Sequence, residues 1–198
     1  MSRRLRIFFI LVGVVVVGYF VGSRLGFGSN GVSADFSDAR AQGAVVGQDI
    51  VNLSNDMAKR LDKINQYDKE GDYTEALVES VELVKNAQDL RTRAISLSSD
   101  LERMTGALSS IKNADARAAA LESISNRMAL ISRLLSYNDY YLQLLNALQT
   151  RFRGQKPTVP VQTLIDQINS EVNAINNFNR QAGEAMDRFD SILKTNGK

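Results

Sequence analysis

The acidic side chains near position 75 have the spacing that comes closest to a metal site. Glu75, Glu79 and Glu82 recur at helical spacing, and two such carboxylates on one helix face can hold a metal ion in a bundle. Di-iron bundles also use a Glu-x-x-His pair, and this chain contains no His and no Cys. A solvent-exposed acidic face is therefore the better interpretation, and we predict no metal site and no cofactor.

The absence of His and Cys also bears on catalysis. Those two residue types supply the usual general base, the usual nucleophile and the commonest transition-metal ligands. Only carboxylates, lysines, tyrosines and hydroxyls remain for chemistry. We therefore predict that the protein is not an enzyme and has no catalytic residues.

A tyrosine cluster followed by two arginines is the candidate interaction surface, because tyrosine and arginine are good anchors at interfaces. Its members are Tyr137, Tyr140, Tyr141, Arg151 and Arg153. Two alternatives stay open for the tyrosines: packed rings with hydroxyls in water, or a small molecule held between helices beside them. The arginines have an alternative as internal partners of the acidic first half of the chain.

The N-terminus carries an uncharged run, residues 7–22, with Arg3, Arg4 and Arg6 before it and Arg24 after it. The run is long for a signal peptide and slightly short for a bilayer span. We predict a retained membrane anchor over residues 1–27, contacting lipid through residues 7–27. A cleaved secretory signal is the alternative. The arginines place the N-terminus in the cytoplasm and the remainder outside the cytoplasmic membrane.

Glycines are frequent after the anchor, and residues 28–44 are predicted to be a flexible glycine-rich stalk. Residues 45–198 carry apolar side chains at spacings of three and four almost throughout, which predicts helices. The first helix covers about 45–69, and three longer helices follow, the last two separated by Pro157 and Pro160. The predicted fold is all-α: an N-terminal transmembrane helix and an up-down bundle of about four long helices with coiled-coil-like packing.

The join between the second and third helices is the least certain part of this prediction. Asn113 and Asp115 are a plausible helix stop and N-cap, but no Gly or Pro is present there. A hairpin is favoured, because a globular helix of about 80 residues would be rare. A single continuous helix across residues 105–120 remains the alternative.

The stretch from Tyr67 to Leu77 resembles the helix-turn-helix of a tetratricopeptide repeat, with Gly71, Tyr73 and Ala76 in matching relation. The resemblance covers about one repeat, and no second copy follows, although such repeats need neighbours. We interpret the stretch as a tight turn in a helical hairpin, with a peptide-binding repeat module as the alternative.

Charge indicates what kind of partner to expect. Residues 25–198 contain 20 basic and 22 acidic side chains, so the predicted bundle lacks the basic bias of a nucleic-acid binder. The resulting hypothesis is a structural or interaction protein of the cell envelope, a scaffold or adaptor that contacts other envelope proteins or itself. The alternative is a ligand-sensing or ligand-binding bundle that works with a partner membrane protein.

Overall fold

The computed structural model describes residues 32–196. All regular secondary structure in that range is helical, as predicted, and it forms a bundle of four long helices connected by short segments. The helices are α1 (Ala34–Glu70), α2 (Tyr73–Ala107), α3 (Ala114–Phe152) and α4 (Val161–Asn196), with a 3₁₀ turn at Leu108–Ser110.

The helices pack because each carries a stripe of buried residues at alternating spacings of three and four. In α2 the stripe consists of large apolar residues with two alanines among them: Leu83, Ala87, Leu90, Ala94, Leu97, Leu101 and Met104. That spacing keeps one face toward the neighbouring helices when axes run nearly parallel. The most extensive packing joins α1 to α2 and α3 to α4, and α2 packs on α3 between these two hairpins.

The first turn has the tight geometry predicted for residues 67–77. Gly71 has φ of 82°, a left-handed conformation that costs a side chain-bearing residue energy. The carbonyl of Tyr67 accepts from the amides of Gly71 and Asp72, both at 2.9 Å. The Asp72 carboxylate then accepts from Glu75 N at 3.4 Å and begins α2.

The chain turns back at Asn113, so the hairpin prediction is confirmed and the continuous helix is not. After the 3₁₀ turn, Ile111 has extended backbone and is fully buried. The Asn113 side chain accepts from Ala116 N at 2.9 Å and caps α3. A capping Asn and a buried Ile therefore make this turn without Gly or Pro.

The predicted stalk needs correction over residues 34–44, which form the first turns of α1. Phe36 is 1% exposed and lies 5.5 Å, between ring centroids, from Phe189 of α4. Arg40 holds Asp190 with two hydrogen bonds of 2.7 and 2.8 Å. The glycines misled the prediction because a buried glycine permits close helix packing: a Cβ on Gly43 would lie 3.4 Å from Leu97 Cδ1.

Within residues 32–196, no helix combines the length and the apolar character that crossing a membrane requires. The predicted anchor, residues 1–27, lies outside the described residues.

Candidate functional site

Two of the five predicted interaction residues belong to the core, which corrects the prediction for them. Tyr137 is 2% exposed and Tyr141 is 0% exposed. The Tyr141 hydroxyl donates to the Met57 carbonyl at 3.1 Å, tying α3 to α1. Both tyrosines fall on the buried heptad positions of α3, together with Leu134 and Leu144. They therefore hold the hairpins together and are not available to a partner.

Burial also changes the acidity of these two hydroxyls. Loss of solvent raises the pKa of Tyr137 and of Tyr141 well above the usual value. For Tyr141 the neighbouring Tyr137 and the carboxylate of Asp56 raise the pKa further. Both phenols are thus neutral in the folded state at physiological pH.

The other three predicted residues do not converge with them. Tyr140 is half-buried and Arg153 is exposed. Arg151 donates to both carboxylate oxygens of Asp68, at 3.2 and 3.0 Å. This ion pair joins α3 to α1. Arg151 therefore fits the alternative given above, in which the arginines pair internally with the acidic first half of the chain.

The acidic residues near position 75 are held by basic neighbours. Glu79 accepts from Arg60 at 2.8 Å and from Lys63 at 3.1 Å, so this carboxylate bridges α2 to α1. The hydrogen bond that Lys63 donates to Glu79 raises the pKa of Lys63. Glu82 pairs with Lys85 at 2.7 Å, and that hydrogen bond lowers the pKa of the Glu82 carboxyl. Among residues 32–196, no cluster of three or more acidic residues has an arrangement suited to a metal ion.

A cavity of about 10 Å³ lies in the centre of the bundle, where residues from all four helices meet. That volume is room for about one water molecule and not for an organic ligand. Its lining is Gly47, Ile50, Leu97, Arg127, Leu130, Leu134 and Ile175.

Arg127 is a charged side chain in the core that was not predicted. It sits at a heptad position otherwise filled by Leu134 and Tyr141, and it is 7% exposed. Burial, and then the positive charge of Arg40, lower its pKa to about 10. The guanidinium therefore stays protonated at neutral pH despite the cost of desolvation.

Asn138 is a second unexpected polar group in the core. It is 1% exposed, and neither its amide nitrogen nor its amide oxygen has a hydrogen-bond partner among the described residues. Buried amides without partners cost free energy. Asn138 adjoins Asp139, which pairs with Arg91 of α2 at 3.0 Å, so this cost falls near the α2–α3 seam.

Exposed large apolar side chains are unevenly spread over the described surface. Seven occur in residues 32–196: one in α1, four in α2, two in α3 and none in α4. They are Val45, Tyr73, Val78, Val81, Ile95, Leu121 and Met128. The exposed residues of α4, by contrast, are polar along the described length of the helix.

Four of these seven share one surface with three half-buried neighbours. The Arg91–Asp139 pair shows where α2 and α3 adjoin. The other residues lie within about 60° of that pair around their own helices, except Val81, which lies about 80° away at the edge of the surface. We call this surface the α2–α3 face: exposed Val81, Ile95, Leu121 and Met128, and half-buried Val84, Leu135 and Leu142.

A signal for this surface was present in the sequence. Leu121, Met128, Leu135 and Leu142 recur every seven residues, alongside the buried stripe of α3. Two adjacent heptad stripes on one helix indicate that it contacts more than one neighbour. Because both stripes are apolar, they were predicted to belong to a single core, and the second surface was missed.

Comparison of the chain with protein-family models, with curated proteins and with solved structures found no match.

Proposed function

We propose that the protein is a membrane-anchored helical bundle that acts as a structural or interaction component of the cell envelope. Residues 7–27 would lie in the bilayer, with the N-terminus in the cytoplasm and the bundle outside it. The proposal rests on the uncharged run with its flanking arginines, and on a bundle whose first helix begins at Ala34, shortly after the predicted anchor over residues 1–27.

The position of the first helix is the observation that carries this proposal furthest. Ser33 caps α1 by accepting from Phe36 N at 3.3 Å, so few residues separate the predicted anchor from a packed helix. A bundle joined so closely to a span would be held near the bilayer by its α1 end. Helices of 35 to 39 residues are about 53–59 Å long, and they would carry the opposite end that far from the attachment point.

The opposite end contains the turn at Gly71 and the loop 153–160, which the Arg151–Asp68 pair brings together. Tyr73 is 47% exposed there and stacks on Phe152 with ring centroids 5.9 Å apart. Arg153 and the rest of this end would be the part of the molecule most accessible to other envelope proteins.

Single-cysteine labelling tests the proposed topology directly, because the chain has no native cysteine. We expect Ser110→Cys and Thr158→Cys, at exposed positions of opposite bundle ends, to react with a membrane-impermeant maleimide in intact spheroplasts of a bacterial host. Ser2→Cys should react only after permeabilisation. The protein should also stay in carbonate-washed membranes at 21.9 kDa, and deletion of residues 7–22 should release it.

Labelling of Ser2→Cys in intact spheroplasts, or protection of the two bundle positions, would contradict the proposed orientation. Recovery of a soluble, shortened protein with a mature N-terminus near Asp35 would contradict the retained anchor.

A further inference from the structure

We infer that the α2–α3 face is the interface between two copies of this chain. The face holds four of the seven exposed large apolar side chains found in residues 32–196. Contiguous exposed apolar surface on a soluble domain commonly marks a protein interaction site. The inference specifies the self-association side of the proposed function, and only the orientation of the dimer rests on the membrane anchor.

The size of the face suits a stable dimer. Arg91 lies level with Asp139, so in these antiparallel helices Leu121 lies level with position 109. From Val81 to that level is 28 residues, or about 42 Å, and two helices side by side are about 20 Å wide. The face is thus on the order of 840 Å² per copy, close to the roughly 800 Å² that each partner contributes to a standard interface.

Its charges favour an identical partner. A symmetric interface brings the same surface together from both copies, so a face with excess charge of one sign would repel itself. Here Arg91 is neutralised by Asp139 at 3.0 Å within each copy, and exposed Glu102, three turns from Arg91, is the remaining charge on the face. One net negative charge per copy is too little to attract a strongly ionic partner or to prevent self-pairing.

The register of the two helices also lets one apolar contact form twice across a symmetric interface. A twofold axis parallel to the helices places α2 of one copy against α3 of the other at the same level. Because α2 and α3 are antiparallel, a step of four residues forward from Arg91 to Ile95 matches a step of four residues back from Asp139 to Leu135. Ile95 therefore meets Leu135 of the second copy. Small residues, exposed Ser125 and Ser132 and half-buried Ala129, separate the large side chains of α3 and allow close helix approach. Two copies anchored in one membrane would share this parallel axis.

The first test introduces charges into the face. The mass of the full-length chain in detergent micelles is measured by sedimentation, with correction for bound detergent. We expect a dimer of 43.8 kDa, twice the 21.9 kDa of one chain. Ile95→Glu combined with Met128→Glu should weaken it on the order of 100-fold or more. These side chains are 57% and 40% exposed, so helicity should be retained. The matched control, Asn173→Glu with Asn177→Glu on the exposed surface of α4, should leave the dimer intact.

Cross-linking in membranes is the second test and does not depend on the stability of the charged variant. Ile95→Cys treated with a short bismaleimide should give a product of twice the chain mass, and Asn177→Cys should not. A monomeric wild-type chain, or a dimer unaffected by the paired Glu substitutions, would overturn the inference. Cross-linking of Ile95→Cys to a protein of another mass would show a different occupant of the face. None of these results depends on the topology labelling above.

Discussion

At the scale of single residues, the core contains three polar side chains that act differently. Tyr141 reaches a carbonyl of another helix, Asn138 has both amide atoms without partners among the described residues, and Arg127 carries a buried charge. The free energy of unfolding should therefore respond to substitution at these positions in opposite directions.

Replacement of Asn138 by leucine should stabilise the protein. Leucine has a similar volume and removes a buried amide that has no partner among the described residues, which costs about 1–3 kcal/mol. We expect the free energy of unfolding in urea to rise by about 1–3 kcal/mol. Tyr141→Phe, which deletes a satisfied hydroxyl, should instead lower it by about 1 kcal/mol. A loss of stability in Asn138→Leu would indicate a hydrogen-bond partner that the amide acquires in solution.

Phe36 tests whether residues 34–44 are part of the fold or a tether. The ring is 1% exposed and packs on Phe189, so Phe36→Ala should cost about 3–5 kcal/mol of unfolding free energy. Ser37→Ala, at an exposed position of the same turn, is the control and should be nearly neutral. Equal stability of the two variants would show that this segment does not pack in solution.

Titration at high pH separates the effects of the buried ionisable groups. The unfolded tyrosines lose their protons near pH 10, while burial raises the folded pKa of Tyr137 and Tyr141. Their contribution to stability is therefore complete below pH 10 and falls above it by about 1.4 kcal/mol per pH unit for each residue. Arg127, whose pKa is lowered to about 10, acts in the other direction. Above pH 10 the buried guanidinium loses its proton and its desolvation cost, so the free energy of unfolding rises by a similar amount per pH unit.

With all three groups present, the free energy of unfolding in urea should fall by about 1.4 kcal/mol per pH unit above roughly pH 11. Tyr137→Phe should remove about that slope, and its unfolding free energy should stay nearly constant over the same range. Continued decline in that variant with the wild-type slope would exclude Tyr137 as a contributor.

At the scale of helices and turns, glycine has opposite roles at two positions. Gly71 has φ of 82° and ends α1, whereas Gly106 lies in α2 with open space where a Cβ would be. Gly71→Ala should therefore lose about 1 kcal/mol of stability through backbone strain. Gly106→Ala should gain about 0.5–1 kcal/mol through helix propensity. Thermal unfolding followed by circular dichroism measures both, and a gain in Gly71→Ala would contradict the left-handed turn.

Periodicity was enough to predict that α2, α3 and α4 are helices, because each buries a heptad stripe. The turns were predicted from other signals: Gly71 for the first, the rarity of a helix of about 80 residues for the second, and Pro157 and Pro160 for the third. The start of α1 was mispredicted because glycine has two meanings that sequence cannot separate, free backbone or close packing. Gly43 has the second meaning here. The prediction that Tyr137 and Tyr141 belong to an interaction surface was wrong for a related reason. Their spacing shows that they share a helix face, but it does not show whether that face is buried or exposed to solvent.

At the scale of the whole molecule, the two hairpins are joined by polar contacts at both ends of the bundle. Arg40–Asp190 lies at the end where α1 begins, and Arg151–Asp68 lies at the other end. Between them, Tyr141 and the α2–α3 packing complete the assembly. These contacts couple hairpins that are distant in sequence, so they should influence the cooperativity of unfolding.

The bidentate pair of Arg40 with Asp190 is the sharpest test of that coupling. Arg40 and Asp190 side chains are only 17% and 14% exposed, and removing one partner of a part-buried pair leaves the other charge poorly solvated. Arg40→Met and Asp190→Asn should each destabilise by roughly 1–3 kcal/mol. The double variant should lose less than the sum of the two, and a strictly additive result would show no interaction in solution.

The Arg40–Asp190 pair also determines how the molecule would respond to mechanical load, because it brings the start of α1 and the end of α4 to the same end of the bundle. Tension between those two chain ends would load this ion pair first, and would then peel α1 from α2 and α4 from α3 one contact at a time. Tension between the start of α1 and the turn at Gly71 would act along the helices, loading many contacts at once. The bundle should therefore withstand far more force when pulled between the start of α1 and the turn at Gly71 than when pulled between the start of α1 and the end of α4.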